Sequence, residues 1–366
     1  MKASRVYNFS AGPGTLPLPV LQRAQGELLG LPGLGMSVLE ISHRSEPFER
    51  IMSSAQTNLR ALLNLPRDYR ILFLQGGATL QFSMVPMNLL RGTGKRADYV
   101  VAGTWGTKAV SEARREGKVR VLWDGEAEAF TRMPSPDEWQ PDPQAAYVHI
   151  TSNETIQGLQ LQWEPESAPA PLVCDMSSDF LSRPVAAERY GLIYAGAQKN
   201  AGPAGVTVVI VREDLLERVP AGLHTLLDYG VHAAKDSMHN TPPVFSIYMV
   251  NLVTEWLLRE IGGLRKMAAI NAEKAALLYR AIDESDGFYS GHAQADSRSR
   301  MNVTWRLADS NLGPLFMEQA RARGMHNLKG HRSVGGLRAS IYNAMPLAGV
   351  RALRDFMLEF QGEHGP

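Results

Sequence analysis

Residues 171–205 read PLVCDMSSDFLSRPVAAERYGLIYAGAQKNAGPAG, and two apolar runs inside them decide the fold. Leu172-Val173-Cys174 ends on Asp175, and Leu192-Ile193-Tyr194-Ala195 runs through Gly196-Ala197-Gln198 into Lys199. Both runs are short and bounded by turn residues, the pattern of strands buried on both faces of an α/β sheet. Each delivers a charged residue at or just beyond its carboxyl end, where open α/β sheets place their ligands. A carboxylate and an amine at neighbouring strand ends are what pyridoxal phosphate needs. The amine forms an imine with the aldehyde, and the carboxylate keeps the pyridine nitrogen protonated so that the ring accepts electrons. On these two residues alone, a buried Asp–Lys ion pair or a lysine that reaches solvent is the commoner arrangement. The flanking sequence shifts the balance.

Outward from this stretch, strands and helices alternate. Arg70–Leu74, Tyr99–Val101, Val119–Trp123, Ala146–Ile150 and Val206–Val211 are strand-like, with helical spacing between several of them. Alternation of this kind predicts an α/β fold, a large domain with a mostly parallel sheet covered by helices on both faces. Val244–Ile261 is apolar on most sides and predicts one long buried helix, broken by Gly262-Gly263. The remainder alternates helix 264–284, a strand near 301–307, a helix near 312–323, a strand near 336–342 and a helix from Leu347. That order suits a smaller α+β carboxyl-terminal domain. The predicted division is 16–262 for the large cofactor-binding domain and 263–366, with the amino-terminal segment 1–15, for the small one. The proline-rich segment 129–144, AFTRMPSPDEWQPDPQ, is expected to be a surface excursion.

At 366 residues the chain exceeds what one core usually serves. A formal net charge of +1 gives no charge-driven reason to expect a nucleic-acid or membrane partner. The single cysteine, Cys174, lies in an apolar strand, which fits a small buried side chain, rules out a disulfide within the chain and favours a cytoplasmic home. The amino terminus has basic residues with no apolar run behind them, so no secretory signal is expected. None of the nine histidines shows metal-ligand spacing, and no metal is expected.

Gly76-Gly77-Ala78-Thr79 joins a strand to a helix, where free backbone N–H groups bind anions. Taken alone this is a common turn. There is no G-x-G-x-x-G fingerprint, and Gly92-Thr93-Gly94-Lys95-Arg96 lacks P-loop spacing, so nicotinamide and flavin binding have little support.

Eight stretches in order then share one resemblance: NFSAGPG (8–14), SVLEISHRS (37–45), QGGATLQFSMVPMNLL (75–90), NETIQG (153–158), CDMSSDFLSRP (174–184), GAQKNAGPAG (196–205), HNTPP (239–243) and GHRSVGGLRASIYNAMP (330–346). Together they resemble the phosphoserine aminotransferase family, pyridoxal-phosphate enzymes of fold type I within the class V aminotransferases. The resemblance implies that Lys199 carries the cofactor and moves a proton between the substrate α-carbon and the cofactor, that Asp175 pairs with the pyridine nitrogen, that Trp105 stacks on the ring and that Thr155 hydrogen-bonds the ring hydroxyl. It places the cofactor phosphate against Ala78, Thr79 and Gln198, with Asn240 and Thr241 reaching in from a second subunit of a homodimer. It makes Arg338 the clamp for the substrate α-carboxylate, since a guanidinium forks onto a carboxylate through two parallel hydrogen bonds. His43, Arg44, His331 and Arg332 become the pocket for the phosphate and the side-chain carboxylate. Some relatives carry an arginine just after the glycine-rich turn. Here Thr79 stands in that place, and a hydroxyl must serve instead.

The activity implied is transamination between O-phospho-L-serine with 2-oxoglutarate and 3-phosphohydroxypyruvate with L-glutamate, in serine biosynthesis. Two rivals differ in kind. Another class V activity, serine–glyoxylate transamination or cysteine desulfuration, needs different side-chain chemistry, and desulfuration needs a mobile thiol. A non-catalytic protein that binds phosphometabolites would have no use for Lys199.

Overall fold

The computed structural model describes residues 5–166 and 169–365. In chain order it begins with β1 (Tyr7–Asn8), α1 (Leu18–Glu27) and α2 (Glu46–Leu63). Pro47 opens α2, Glu46 and Glu49 face its positive end, and Asn64 closes it in the left-handed conformation at φ 48°. The alternating part follows: β2 (Tyr69–Leu74), α3 (Gly77–Leu89), β3 (Arg96–Val101), α4 (Thr104–Ala113), β4 (Lys118–Asp124) and β5 (Val148–Thr151). A two-stranded ribbon, β6 (Asn153–Glu154) and β7 (Leu159–Gln160), precedes β8 (Leu172–Asp175), β9 (Tyr190–Gly196) and β10 (Thr207–Arg212). Then come α5 (Glu213–Leu216), α6 (Tyr229–Ala234), α7 (Val244–Trp256) and α8 (Leu264–Asp283). The last part contains β11 (Tyr289–Gly291), β12 (Asn302–Leu307), α9 (Leu312–Ala322), β13 (Met325–His326), β14 (Leu337–Ser340) and α10 (Leu347–His364).

The central sheet has seven strands in the order β2-β10-β9-β8-β5-β3-β4, and β10 alone runs against its neighbours. The expected strands are therefore present, in a mostly parallel sheet. Alternate side chains face opposite layers. Ile71 and Phe73 join the core that includes Phe48 and Leu59 of α2 and Ile247 and Val250 of α7, whereas Leu72 and Leu74 join the core of Phe82 on α3 and Val110 on α4. From β3 the chain moves outward to β4 and then returns to β5 on the other side of β3. This reversal puts a topological switch point between β3 and β5, the place where such sheets open a crevice.

A separate cluster, with Leu278, Trp305, Phe316, Ala339 and Phe356, surrounds the antiparallel sheet β11-β12-β14 and includes Phe9. β1 pairs with β13, Tyr7 opposite Met325, which ties the amino-terminal segment to this cluster. Residues 1–4 of that expected segment, and residue 366, lie outside the described residues. α8 serves both cores, with Leu264 and Met267 in the first and Leu278 and Ile282 in the second. Its fully buried Lys274 donates to the carbonyls of Ile341, Tyr342 and Met345, at 2.9, 2.7 and 3.2 Å. These bonds hold the segment that follows β14.

One expectation needs correction. The helix from Val244 does not continue unchanged to Ile261: its last five residues, Leu257–Ile261, widen into a π turn closed by Gly262 at φ 84°. The segment 129–144 runs along the surface as expected, nearly all of it exposed or partly exposed, and it is pinned at one point. Met133 is buried and its amide donates to Ser297 Oγ at 3.0 Å, while Arg132 is held between Glu128 and Glu138. Among the described residues, no helix is long and apolar enough to cross a membrane, and no three His, Cys, Asp or Glu side chains converge as a metal site.

Candidate active site

The carboxyl ends of β3, β5, β8 and β9 open on one crevice and supply its groups. Asp175 ends β8, opposite Thr151 on one side and Tyr194 on the other. It is buried, and its Oδ1 accepts the Ser177 amide at 2.8 Å. Burial pushes its carboxyl above the usual range, against the opposing pull of Lys199 and Ser177. Lys199 follows β9 by three residues. Its Nζ donates to Thr155 Oγ1 at 2.9 Å and lies 5.4 Å from the centroid of the Trp105 ring. Burial lowers the Lys199 pKa, opposed by the charges of Asp175 and Glu154, while Arg338 pushes the same way as burial. A lysine so placed gives up its proton readily, which imine chemistry and proton transfer both require.

The amino-terminal loop closes over this lysine. The Gly14 amide donates to the Gln198 carbonyl at 2.7 Å, and a Cβ on Gly14 would lie 2.7 Å from a Tyr342 ring carbon. Tyr342 in turn donates to the Ala11 carbonyl at 2.6 Å.

Two helix amino termini face the crevice, and they differ. At α3, Gly76 (φ 88°) and Gly77 (φ 67°) are both in the left-handed region, and a Cβ on Gly76 would lie 2.4 Å from Leu80 Cδ2. Among the described residues, the Gly77, Ala78 and Thr79 amides have no acceptor, so this turn is open to an anion. At α4 the corresponding amides are already taken. Glu154, fully buried, accepts Trp105 N–H at 3.0 Å on Oε2 and Gly106 N–H at 2.8 Å on Oε1. Gln157 Nε2 donates to Thr104 Oγ1 at 2.9 Å. A Cβ on Gly103 would lie 2.7 Å from Glu154 Cδ, so a glycine there is what lets the carboxylate approach. Burial raises the Glu154 pKa to about 7, in spite of the two amides that favour the ionised form.

Across the crevice, Arg338 on β14 donates to the Thr155 carbonyl at 3.3 Å, and among the described residues its remaining donors have no acceptor. His331 accepts the Ser333 amide on Nδ1 at 3.3 Å, which assigns its proton to Nε2. Its pKa is lowered, first by burial and then by Arg338, Arg332 and Lys108. Several cations therefore converge where a dianion would neutralise them.

The structure brings together Lys199, Asp175, Thr155, Trp105 and Arg338, with Ala78 and Thr79 on the open turn and Gln198 beside Lys199; His331 feels the charge of Arg338 and Arg332, but both His331 and Arg332 line a cavity shared with Arg306 and Met317. It does not bring the rest. Among the described residues, no hydrogen bond or ion pair joins His43 or Arg44 to this group, and His43 Nε2 is buried without a partner. Thr241 offers its carbonyl to Gln75 Nε2 of its own chain at 3.1 Å, and among the described residues no hydrogen bond joins Asn240 to Lys199. Cys174 is fully buried and its thiol is pushed far up, which removes it as a nucleophile. Sequence reading missed two residues. Glu154 stands one position before Thr155 in the stretch already singled out. Lys108 follows Trp105 by three residues on the same helix face, its Nζ 4.7 Å from the indole centroid.

The donor set suits pyridoxal phosphate: an amine of lowered pKa, a buried carboxylate, an aromatic plate and an open helix terminus for the phosphate. Residues 6–353 match the family model described as aminotransferase class-V. The chain is 57% identical to the phosphoserine aminotransferase of Laribacter hongkongensis over 98% of its own length and 99% of that protein. Among solved structures it is similar to the phosphoserine aminotransferase of Bacillus circulans subsp. alkalophilus, with a TM-score of 0.96, 50% identity, and coverage of 99% of this chain and 100% of that one. It is also similar to the PLP-bound phosphoserine aminotransferase of Trichomonas vaginalis, with a TM-score of 0.89, 41% identity, and coverage of 97% and 100%.

Proposed function

The chain belongs to the class V aminotransferases, and on that premise we propose that it transaminates between O-phospho-L-serine with 2-oxoglutarate and 3-phosphohydroxypyruvate with L-glutamate, using pyridoxal phosphate. The observation that carries this reading is the meeting of Lys199 and Asp175 at adjacent strand ends with Arg338 across the crevice. When bound, the cofactor supplies an aldehyde that captures an amino group and a ring that accepts electrons.

The chain's own residues do the rest. Lys199 Nζ takes the proton from the substrate α-carbon and returns one, aided by its lowered pKa. Asp175 holds a proton on the pyridine nitrogen, and Trp105 and Thr155 fix the ring plane and its hydroxyl. The open turn at Ala78 and Thr79, with Gln198, takes the cofactor phosphate. Arg338 forks onto the α-carboxylate, and His331 and Arg332 with His43 and Arg44 take the distal phosphate or carboxylate. One pocket must hold both glutamate and phosphoserine, which a group of Arg and His side chains does more readily than one rigid fork.

The working unit is a homodimer with shared sites. Leu29 is 91% exposed and Leu39 is 62% exposed, with Leu28, Leu34 and Met36 also open, in the segment that leads to His43 and Arg44. Such a patch is costly in water, and a second copy of the chain would cover it. That docking would carry His43 and Arg44, and from another edge Asn240 and Thr241, into the neighbouring site. The two cores are read as a large domain, 16–262, and a small one, 263–366 with 1–15. A single, buried cysteine fits a cytoplasmic enzyme.

The test is an ultraviolet–visible spectrum of the purified chain with cofactor, before and after phosphoserine, together with the coupled assay of glutamate and 3-phosphohydroxypyruvate. Loss of the visible band with phosphoserine but not with serine is expected. A chain that binds cofactor but transaminates serine and phosphoserine equally would overturn the substrate assignment.

A further inference from the structure

Glu154 is buried at the edge of the crevice and, among the described residues, makes no hydrogen bond to Lys199, Asp175 or Arg338, yet its two oxygens take two amides of the first turn of α4. The residue that supplies the first amide is Trp105, whose indole is the plate of the crevice. The residue that follows Glu154 is Thr155, which holds Lys199 through its hydroxyl and Arg338 through its carbonyl. The dipeptide Glu154-Thr155 therefore fastens three parts of the site at once.

We propose that Glu154 is a positioning residue, whose carboxylate locks the first turn of α4, and with it the Trp105 ring, against the strand end that carries Thr155 and Lys199. The inference rests on the reading of Trp105 as the plate for the cofactor ring. Three features carry it. A carboxylate with one N–H on each oxygen fixes both the position and the rotation of a helix end, whereas a single capping bond leaves rotation free. Gly103 is needed at the approach: a side chain there would collide with Glu154 Cδ at 2.7 Å and Gln157 Oε1 at 2.6 Å. The Trp105 indole has no hydrogen bond of its own, its Nε1 being buried without a partner among the described residues, so its orientation depends on its backbone and on packing against Phe82, 6.4 Å away, and the ammonium groups of Lys108 and Lys199, at 4.7 and 5.4 Å. The same carboxylate fills the α4 terminus and leaves the α3 turn as the open anion site. Two neighbouring helix ends are thereby given different tasks.

The experiment is a double-mutant cycle on cofactor affinity, read by titrating the cofactor-free chain with pyridoxal phosphate. Glu154→Gln keeps the shape but turns an amino group against one backbone N–H. Glu154→Asp keeps the charge but is one methylene short. With Trp105 present, each variant should weaken cofactor binding about tenfold, the factor that one charge-assisted hydrogen bond carries. In the Trp105→Ala background each should weaken it less than about twofold, because a residue that acts through another loses its effect when that other is gone. Equal losses in both backgrounds overturn the inference and make Glu154 a local charge beside Lys199. A harmless Glu154→Asp also overturns it, since reach and not charge is at issue. Should the variants fail to fold, the unaltered chain decides: the Trp105 and Gly106 amides should exchange with deuterium as slowly as those in the interior of α4, and fast exchange overturns the lock. A chain that binds no pyridoxal phosphate at all would sink the functional reading itself, and this inference with it.

Discussion

Lys199 Nζ stands 2.9 Å from Thr155 Oγ1, and the carbonyl of that same threonine accepts Arg338 at 3.3 Å. The base and the carboxylate clamp are thus referred to one residue, itself buried just after β6 at the start of the turn to β7. A shift of Thr155 would move both, which couples the proton-transfer atom to the group that orients the substrate.

Thr155→Val tests that coupling with little change of volume. The Lys199 ammonium loses its hydrogen-bond acceptor, so its charged form is disfavoured and its pKa falls further. A bond to a charged group is worth enough to move it by about one pKa unit. The cofactor-free chain should then capture pyridoxal phosphate at a lower pH than the unaltered chain does. A rate profile that stays in place, or moves up, contradicts the contact.

Lys199→Ala should abolish the visible band that borohydride traps, and with it turnover. Asp175→Asn should leave cofactor bound but slow the half-reaction with phosphoserine by orders of magnitude, because the ring loses the anion that keeps its nitrogen protonated. Rapid-mixing absorbance measures both. An Asp175→Asn chain with an unchanged half-reaction rate would remove the residue from its role.

The parts legible in the sequence were those with short-range causes. Apolar runs ended by turn residues marked β8 and β9, and the position of Asp175 and Lys199 at their ends followed. Helical spacing marked α2 and α8. What sequence could not supply was long-range pairing. β1 and β13 are two residues each, too short to carry a pattern, and exist because Tyr7 lies opposite Met325 in the folded chain. Glu154 looked like any polar residue of a turn, since its partners at Trp105 and Gly106 are some fifty positions away and only the fold makes them neighbours. The anchor of segment 129–144 was hidden for the same reason: its prolines pointed to the surface, where it lies, while the bond that pins Met133 comes from Ser297, 164 positions further along the chain.

Arg332→Ala and Arg44→Ala should harm phosphoserine more than alanine, which lacks the phosphate. Each contact is charge-assisted, worth roughly 1.5–3 kcal/mol, or about a tenfold to hundredfold rise in KM for phosphoserine. Steady-state kinetics with both amino donors would show the difference. Equal losses for the two donors would instead mean a general defect of folding.

The buried Glu154 makes a pH prediction for stability. Its pKa is raised from the usual 4.5 to about 7 in the folded chain. The folded state therefore holds a proton that the unfolded state has already released between those values. Its contribution is fully present below pH 4.5 and is lost as the pH rises to about 7. Relative to Glu154→Gln, which does not titrate, the unaltered cofactor-free chain should lose up to about 3 kcal/mol across that window. Thermal melts of both chains from pH 4.5 to 8 give the comparison. A Tm difference that is flat, or that grows in favour of the unaltered chain as pH rises, contradicts the direction.

The shared site makes the most demanding prediction. Asn240 and Thr241 precede Pro242-Pro243, which stiffen the entry to α7, and among the described residues no hydrogen bond joins them to Lys199 of their own chain. If they serve the neighbouring subunit, each site of a dimer takes Lys199 from one chain and Asn240 with Thr241 from the other. Consider one chain carrying Lys199→Ala and a second carrying Asn240→Ala with Thr241→Ala, each inactive or poorly active as a homodimer. In the mixed dimer one site collects both defects, and the other pairs an intact Lys199 with intact Asn240 and Thr241. Unfolding and refolding the two chains together at equal amounts makes about half of the dimers hybrids by random pairing, each with one unaltered site. Turnover in the mixture should therefore rise to about a quarter of that of the unaltered enzyme per site, since hybrids are half the dimers and half their sites are intact. Separately tagged chains allow the hybrid to be isolated and assayed directly. A purified hybrid no more active than the sum of its parents would assign Asn240 and Thr241 to their own chain and leave each site complete within one subunit.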